Sequence, residues 1–166
     1  MVHDNRKHSY DPYDNMKNTI TAKEQSKMSR RLCVERKDDG TWEASSDDGA
    51  RLSFGKGEGM FTPVELMQIA LAGCTALSSQ YAIEHSLGES ASARVVVSGR
   101  YDPEEGTYTQ FNEDVTVDAT SANPPLSDEA TSELKARMER HISKGCTVKH
   151  TLESAAPVRV MVTIRR

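Results

Sequence analysis

The chain has 166 residues, of which 36% are hydrophobic and 28% are charged, and its formal net charge is −4. This composition is typical of one globular domain, and it lacks the basic surface that a nucleic-acid partner requires. No apolar run approaches the roughly 18 residues of a membrane-spanning helix, so we expect neither a nucleic-acid nor a membrane partner.

The first segment, residues 1–28, is polar, and its apolar side chains follow no period. This pattern predicts a mobile N-terminal extension before a single domain over residues 29–166. The segment contains no apolar stretch of the kind found in secretory signals. The cysteines are few and odd in number, and no CxxC occurs, which is typical of a reducing compartment. We therefore expect a cytoplasmic protein; its cysteines are Cys33, Cys74 and Cys146.

Residues 31–54 have the pattern of a small antiparallel meander. The extended runs RLCVER, TWEAS and ARLSF are separated by the pairs Asp39-Gly40 and Asp48-Gly49. Asp-Gly between two extended runs is a strong hairpin signal. Cys33 lies in the first of these strands, and we expect it to have a structural role.

Residues 62–86 predict a long helix. Thr62 is a good N-cap, Pro63 suits the first helical position, and Glu65 in the first turn is favourable with the helix dipole. The middle of the segment is apolar or small on nearly all sides, which is typical of a helix buried on most sides. A chain of this size cannot cover such a helix alone, so we expect the helices of two copies to pair in a homodimer.

The remaining segments complete a segregated α+β pattern. Two extended runs separated by a Pro- and Gly-containing turn predict a hairpin, and an amphipathic segment capped by Ser127 predicts a second helix. Cys146 then opens a short helical segment, and an apolar run after Pro157 predicts a final strand. The order of meander, buried helix, hairpin and helices favours an α+β fold over an alternating α/β fold. The hairpin runs are residues 93–102 and 107–119, the second helix residues 128–144, and the final strand residues 158–164.

Two cysteines are candidates for thiol chemistry, and an inert packed cysteine is the alternative for each. Cys74 lies well inside the long helix between small neighbours. Cys146 follows a helix-ending glycine and begins the next helical segment. A helix N-terminus and nearby cations lower the pKa of a thiol, so the local sequence predicts that Cys146 is the more acidic of the two.

Histidines could in principle add a metal site to the second cysteine. His150 lies four residues after Cys146 and therefore on the same helical face, but a zinc site needs further ligands. His141 and His85 are available, yet nothing in the sequence orders them. We expect no metal and no bound cofactor.

The sequence around both cysteines resembles the OsmC/Ohr family, the osmotically inducible and organic hydroperoxide resistance proteins. The first motif runs from Thr62-Pro63-Val64-Glu65-Leu66 to Ala72-Gly73-Cys74-Thr75. The second is Lys144-Gly145-Cys146-Thr147-Val148. The spacing of the two motifs and the order of the elements fit the family over roughly residues 30–166.

The resemblance implies an intertwined homodimer with the long helices at its centre. It also implies a cysteine-based peroxidase of the oxidative stress response, which reduces small hydrophobic hydroperoxides and is regenerated by an external dithiol reductant. Cys74 matches the peroxidatic cysteine that becomes a sulfenic acid, and Cys146 matches the resolving cysteine. Glu65 and Arg36 are the nearest matches to the glutamate and arginine that complete the family's site. We follow the family in taking Cys74 as the nucleophile, since a tertiary arginine can outweigh local effects on a pKa.

Three positions differ from the peroxidase pattern of the family. Val64 stands directly after the proline, where the pattern has glutamate, and Thr147 stands where it has proline. Arg36 matches the activating arginine only loosely, and Arg51 competes with it. These features are closer to the less characterised branch typified by YhfA. A second hypothesis therefore stays open, a non-catalytic protein that binds a small apolar molecule.

Overall fold

The computed structural model describes residues 31–154 and 156–164. The predicted N-terminal extension, residues 1–28, lies outside these residues. The chain divides between Phe54 and Gly55 into two compact units. The candidate thiols Cys74 and Cys146 both belong to the second unit.

The first unit contains the predicted meander. Strands β1 (Leu32–Arg36), β2 (Trp42–Ser46) and β3 (Arg51–Phe54) form an antiparallel sheet in the order β1-β2-β3. Both turns use a glycine in the left-handed region, with φ of 85° at Gly40 and 92° at Gly49, which residues with a Cβ rarely adopt. The Asp-Gly signals of the sequence are thereby confirmed.

The second unit begins with the long helix α1 (Pro63–Leu87) and continues with strands β4 (Ser92–Asp102) and β5 (Thr107–Asp118). Helices α2 (Asp128–Gly145) and α3 (Thr147–Leu152) follow. The two strands pair as an antiparallel hairpin, and α1 packs against this hairpin and against both other helices. The α+β fold class and the predicted positions of these elements are confirmed.

The start of α1 forms because its first residues satisfy the free backbone groups of a helix N-terminus. The Thr62 hydroxyl accepts a hydrogen bond from the Glu65 N–H at 3.3 Å, and the Glu65 carboxylate accepts one from the Thr62 N–H at 2.7 Å. This reciprocal capping box, with proline at the first helical position, explains why the helix begins where the sequence predicts. The helix ends at Gly88, which has φ of 88°.

A single chain covers only part of α1. Leu71, Ala82 and Ile83 are buried, and the last two join Leu134 and Met138 of α2 in the core of this unit. The hairpin and the two other helices leave part of the circumference of α1 open, as expected for a chain that cannot cover this helix alone. The apolar side chains left exposed include Ile69, Leu77 and Tyr81.

The predicted final strand is absent. Residues 158–164 have no regular secondary structure, and apolar side chains such as Val158 and Ile164 are more than 80% exposed, at 87% and 82%. A strand needs a neighbouring edge to satisfy its backbone hydrogen bonds, and no strand of the described residues pairs with this segment. None of the helices formed by the described residues is both long enough and apolar enough to cross a membrane.

Candidate thiol site

The end of α2 brings the second cysteine to the middle of α1. The Cys146 N–H donates to the Ile142 carbonyl at 3.1 Å, which closes the last turn of α2. A Cβ at Gly145 would lie 3.4 Å from the Ser78 hydroxyl oxygen, so this glycine permits a close approach of α2 to α1. Cys146 is fully buried, Cys74 is partly buried, and both are free thiols.

The surroundings of Cys74 favour its thiolate. Burial of the Cys74 side chain opposes ionisation, but hydrogen bonds to the sulfur outweigh this effect, and the pKa of the thiol is lowered. Backbone N–H groups of Val148 and Thr147, in the first turn of α3, supply two of these hydrogen bonds, and the Cys146 thiol supplies another. Ser78, one turn further along α1, also donates to the sulfur.

Cys146 is placed to stay protonated. Burial raises the pKa of its thiol, and the neighbouring Cys74 raises it further. The Lys149 N–H acts in the opposite direction without reversing the shift. The local prediction that Cys146 is the more acidic thiol is therefore wrong. The reason is geometric, since the first two amides of α3 donate to Cys74 rather than to the cysteine that precedes the helix.

A buried polar chain adjoins Cys146. The Thr75 hydroxyl lies 3.8 Å from the Cys146 sulfur and donates to a carboxylate oxygen of Glu113 at 3.0 Å. Thr75 is only 1% exposed. Burial raises the pKa of Glu113, although the Thr75 hydrogen bond and the positive charge of Lys149 lower it in part.

The predicted site residue Glu65 takes part in the capping box described above. Hydrogen bonds from the Thr62 N–H and hydroxyl lower the pKa of the Glu65 carboxyl. Glu65 and Cys74 are separated by nine residues of one helix, which places their side chains on opposite sides and roughly 13 Å apart along the axis. The structure does not bring them together within one chain, and a catalytic role of Glu65 stays a prediction.

The two candidate arginines both lie in the first unit. Arg36 is exposed at the end of β1, opposite Trp42 in the register, and forms no ion pair among the described residues. Arg51 on β3 forms an ion pair with Glu43 at 2.7 Å. The assignment of Arg36 as the activating residue therefore stays a prediction.

Two open clefts flank α1 in the second unit. One, of about 350 Å³, is lined by Ser78 and by the basic side chains of Arg140, His141 and Lys144. Because Gly145, which also lines it, directly precedes Cys146, this cleft adjoins the thiol site. The other, also of about 350 Å³, is apolar. It is lined by Ile69, Ala72, Gly73, Ala76, Ser79, Ala93, Val95, Val97 and Val115.

The histidines weighed as zinc ligands have other neighbours. His141 stacks on the Tyr81 ring with centroids 5.9 Å apart, and His85 packs against the same ring at 6.0 Å. Among residues 31–154 and 156–164, no three His, Cys, Asp or Glu side chains are grouped so that they could hold a metal ion.

The polar partners of the site were not found by sequence reasoning. Thr75 was noted only as part of a motif, and Glu113 was not singled out. A signal for Glu113 was nevertheless present. Along β5 the partly buried positions alternate as Phe111, Glu113, Val115 and Val117, so one carboxylate occupies a face that is otherwise apolar.

The family assignment rests on the sequence model of the family described as OsmC-like protein, which matches residues 55–161. The chain therefore belongs to this family, as the two cysteine motifs suggested. An uncharacterized protein of Mycobacterium tuberculosis is 32% identical over 133 residues, which cover 79% of this chain and 94% of the relative. An uncharacterized protein of Mycobacterium bovis matches to the same extent.

Solved structures show the same fold. A hypothetical protein from Aquifex aeolicus has a TM-score of 0.59 with 12% identity, and the match covers 76% of this chain and 88% of that one. An OsmC-like protein from Mycoplasma pneumoniae has a TM-score of 0.55 with 14% identity, over 78% of this chain and 90% of that one. Placement in the YhfA-like branch stays a prediction.

Proposed function

We propose that this protein reduces organic hydroperoxides, with Cys74 as the peroxidatic and Cys146 as the resolving cysteine. The observation that carries the proposal is a pair of free thiols that influence each other and whose pKa values are shifted in opposite directions. A peroxidatic cysteine must be a thiolate, whereas a resolving cysteine need only be close and able to lose its proton later. The resemblance of both cysteine motifs to those of hydroperoxide resistance proteins supports the same assignment.

The proposed chemistry balances with a hydroperoxide and a dithiol as the only co-reactants. The Cys74 thiolate attacks the outer peroxide oxygen, the O–O bond breaks, and the alkoxide takes a proton and leaves as an alcohol. Cys74 is then a sulfenic acid. The Cys146 sulfur attacks it, the S–O bond breaks, water leaves, and a disulfide forms. An external dithiol reduces this disulfide by thiol exchange. The expected cytoplasmic location is a reducing compartment that supplies such thiols.

The substrate and the assembly belong to the same proposal. The apolar groove along α1 suits a small hydrophobic hydroperoxide. The same helix exposes 73% of Leu77 and 64% of Tyr81, which a second copy would cover in a homodimer. We infer that Arg36 and Glu65 complete the site in such an assembly, since Glu65 lies on the side of α1 opposite to Cys74 within one chain.

The decisive experiment compares the three cysteines one at a time. Wild-type protein should consume tert-butyl hydroperoxide with a dithiol present, and Cys74→Ser should lose this activity by at least about 100-fold, because a serine hydroxyl is not ionised at neutral pH. Cys146→Ser should still form a sulfenic acid but no intramolecular disulfide. Cys33→Ser is the matched control, since Cys33 is exposed in the other unit, and it should retain full activity.

Equal consumption of peroxide by the wild type and by Cys74→Ser would contradict the proposal. Rapid alkylation of Cys74 by iodoacetamide near neutral pH, compared with Cys33, provides a separate check on the lowered pKa of the Cys74 thiol.

A second candidate function is the binding of a small apolar molecule without turnover, and the apolar groove along α1 favours it. Intact-mass analysis after treatment with stoichiometric hydroperoxide separates the two functions. Loss of two hydrogens, mapped to a bond between Cys74 and Cys146, supports the peroxidase. Unchanged thiols support binding alone.

A further inference from the structure

The polar chain beside Cys146 has a defined direction of proton donation. A threonine hydroxyl carries a single proton, and that of Thr75 is donated to Glu113 at 3.0 Å. In the Thr75–Cys146 contact of 3.8 Å the Cys146 thiol is therefore the donor and the Thr75 oxygen the acceptor. The thiol proton of Cys146 thus has a continuous path through Thr75 to the Glu113 carboxylate.

Glu113 is an unusual residue for its position. Its second carboxylate oxygen is buried and has no hydrogen-bond partner among the described residues. A buried polar atom without a partner loses its interaction with water, so a carboxylate in this place destabilises the folded protein. This cost points to a functional role for Glu113. Burial also raises the pKa of Glu113, and the positive charge of Lys149 of α3 lowers it only in part. The unpartnered oxygen and the burial both favour uptake of a proton.

We propose that Glu113, acting through the Thr75 hydroxyl, accepts the proton of Cys146 when Cys146 attacks the oxidised Cys74. This inference rests on the proposed peroxidase function. In the resting protein the Cys74 thiolate competes with the Thr75 oxygen for the thiol proton of Cys146. Oxidation of Cys74 removes that negative charge, and the Thr75 oxygen remains as an acceptor for the thiol proton.

The proton transfer balances as follows. The Cys146 proton moves to the Thr75 oxygen while the Thr75 proton moves to Glu113. Glu113, now protonated, donates back to Thr75, whose hydroxyl can turn toward the Cys146 sulfur and stabilise its thiolate. That thiolate attacks Cys74, the S–S bond forms, and the S–O bond breaks. The departing hydroxide takes one proton from solvent and leaves as water, while Glu113 releases the proton it accepted to solvent and returns to its carboxylate. Glu113 is a positioning residue and proton acceptor in this scheme, because it does not touch the reacting sulfur atoms.

The test measures the two oxidation steps separately. Protein is mixed with one equivalent of tert-butyl hydroperoxide, the sulfenic acid is trapped with dimedone at successive times, and the disulfide is followed by intact mass. Glu113→Gln keeps the size and polarity of the side chain but cannot take up a proton. We expect unchanged formation of the sulfenic acid and disulfide formation slowed by about 100-fold, the usual order for loss of a general base.

Three further variants distinguish proton transfer from structural damage. Thr75→Val should also slow disulfide formation. Thr75→Ser, which keeps the hydroxyl, should form the disulfide at the wild-type rate. Asp114→Asn, at the exposed neighbouring position on β5, should match the wild type. In Glu113→Gln the rate of disulfide formation should recover as the pH is raised, because hydroxide in solution then removes the Cys146 proton.

Two results would overturn the proposal. One is disulfide formation in Glu113→Gln at the wild-type rate, and the other is an equal loss of both oxidation steps without recovery at high pH. Failure of the wild type to form any sulfenic acid is a separate outcome, and it rejects the peroxidase function on which this inference rests.

Discussion

The two faces of α1 depart from the usual pattern of a surface helix near the centre of the helix. The inward face contains two polar residues at its centre, Thr75 at 1% and Ser79 at 0% exposure. The outward face presents Leu77 at 73% and Tyr81 at 64% exposure. A helix on the surface of a globular protein ordinarily buries its apolar side chains and exposes its polar ones.

The inward and outward faces of α1 therefore have different roles. Each buried hydroxyl has a partner, since Ser79 donates to the Thr75 carbonyl at 3.0 Å and Thr75 donates to Glu113. Buried polar groups with partners are tolerated, and Thr75 here lies beside the Cys146 thiol. The outward apolar side chains have no such role within one chain, and their exposure is what a surface for a second copy would require.

The largest expected effect concerns the inward face. Ile83→Ala removes a side chain that is 5% exposed and packs against α2, so it should lower the free energy of unfolding by about 2–5 kcal/mol. Gln80→Ala, at an exposed position of the same helix, should change it by less than about 0.5 kcal/mol. Urea unfolding of both variants gives the two values. A loss below about 1 kcal/mol for Ile83→Ala would mean that this face is not the core.

The next effect concerns the outward face. If a second copy covers Leu77, burial of this side chain contributes about 1.5–3 kcal/mol per copy to association. Leu77→Asp should therefore weaken the dimer by at least about tenfold and yield the 18.3 kDa monomer at low micromolar concentration. Light scattering over a dilution series measures this, and melting of the wild type should also shift on dilution.

A charge-matched variant makes the dimer test specific. Ser90→Asp adds the same charge at an exposed turn after α1 and should leave association unchanged. A wild-type protein that is monomeric at all concentrations, with melting independent of dilution, would contradict the homodimer.

The smallest expected effect is a pH dependence from the buried carboxyl. Burial raises the pKa of Glu113 in the folded protein above its ordinary value of 4.5. The folded state thus binds this proton more tightly than the unfolded state. The resulting stabilisation is fully present below pH 4.5 and is lost as the pH rises through the raised value. The free energy of unfolding of the wild type relative to Glu113→Gln should therefore increase from pH 7 toward pH 5, and Asp114→Asn should show no such trend.

Local sequence was sufficient for most of the fold. The Asp-Gly turns of the meander, the Thr62-Pro63-Glu65 start of α1 and the Ser127 cap of α2 all form as predicted, because each depends on residues within a few positions of one another. Residues 158–164 have an equally clear strand pattern but form no strand. A strand depends on a neighbouring edge, which its own sequence does not supply.

In the thiol site, too, some features follow from local sequence and others depend on tertiary structure. The motifs around Cys74 and Cys146 identified the two thiols from sequence, since residue type and spacing are local properties. Which thiol is the more acidic was decided by tertiary structure. The α2–α3 junction places the amides of Thr147 and Val148 against Cys74, and it leaves Cys146 buried beside Thr75. A pKa depends on the dipoles and charges that are near in space, and most of those around Cys74 come from residues more than 70 positions away in the chain.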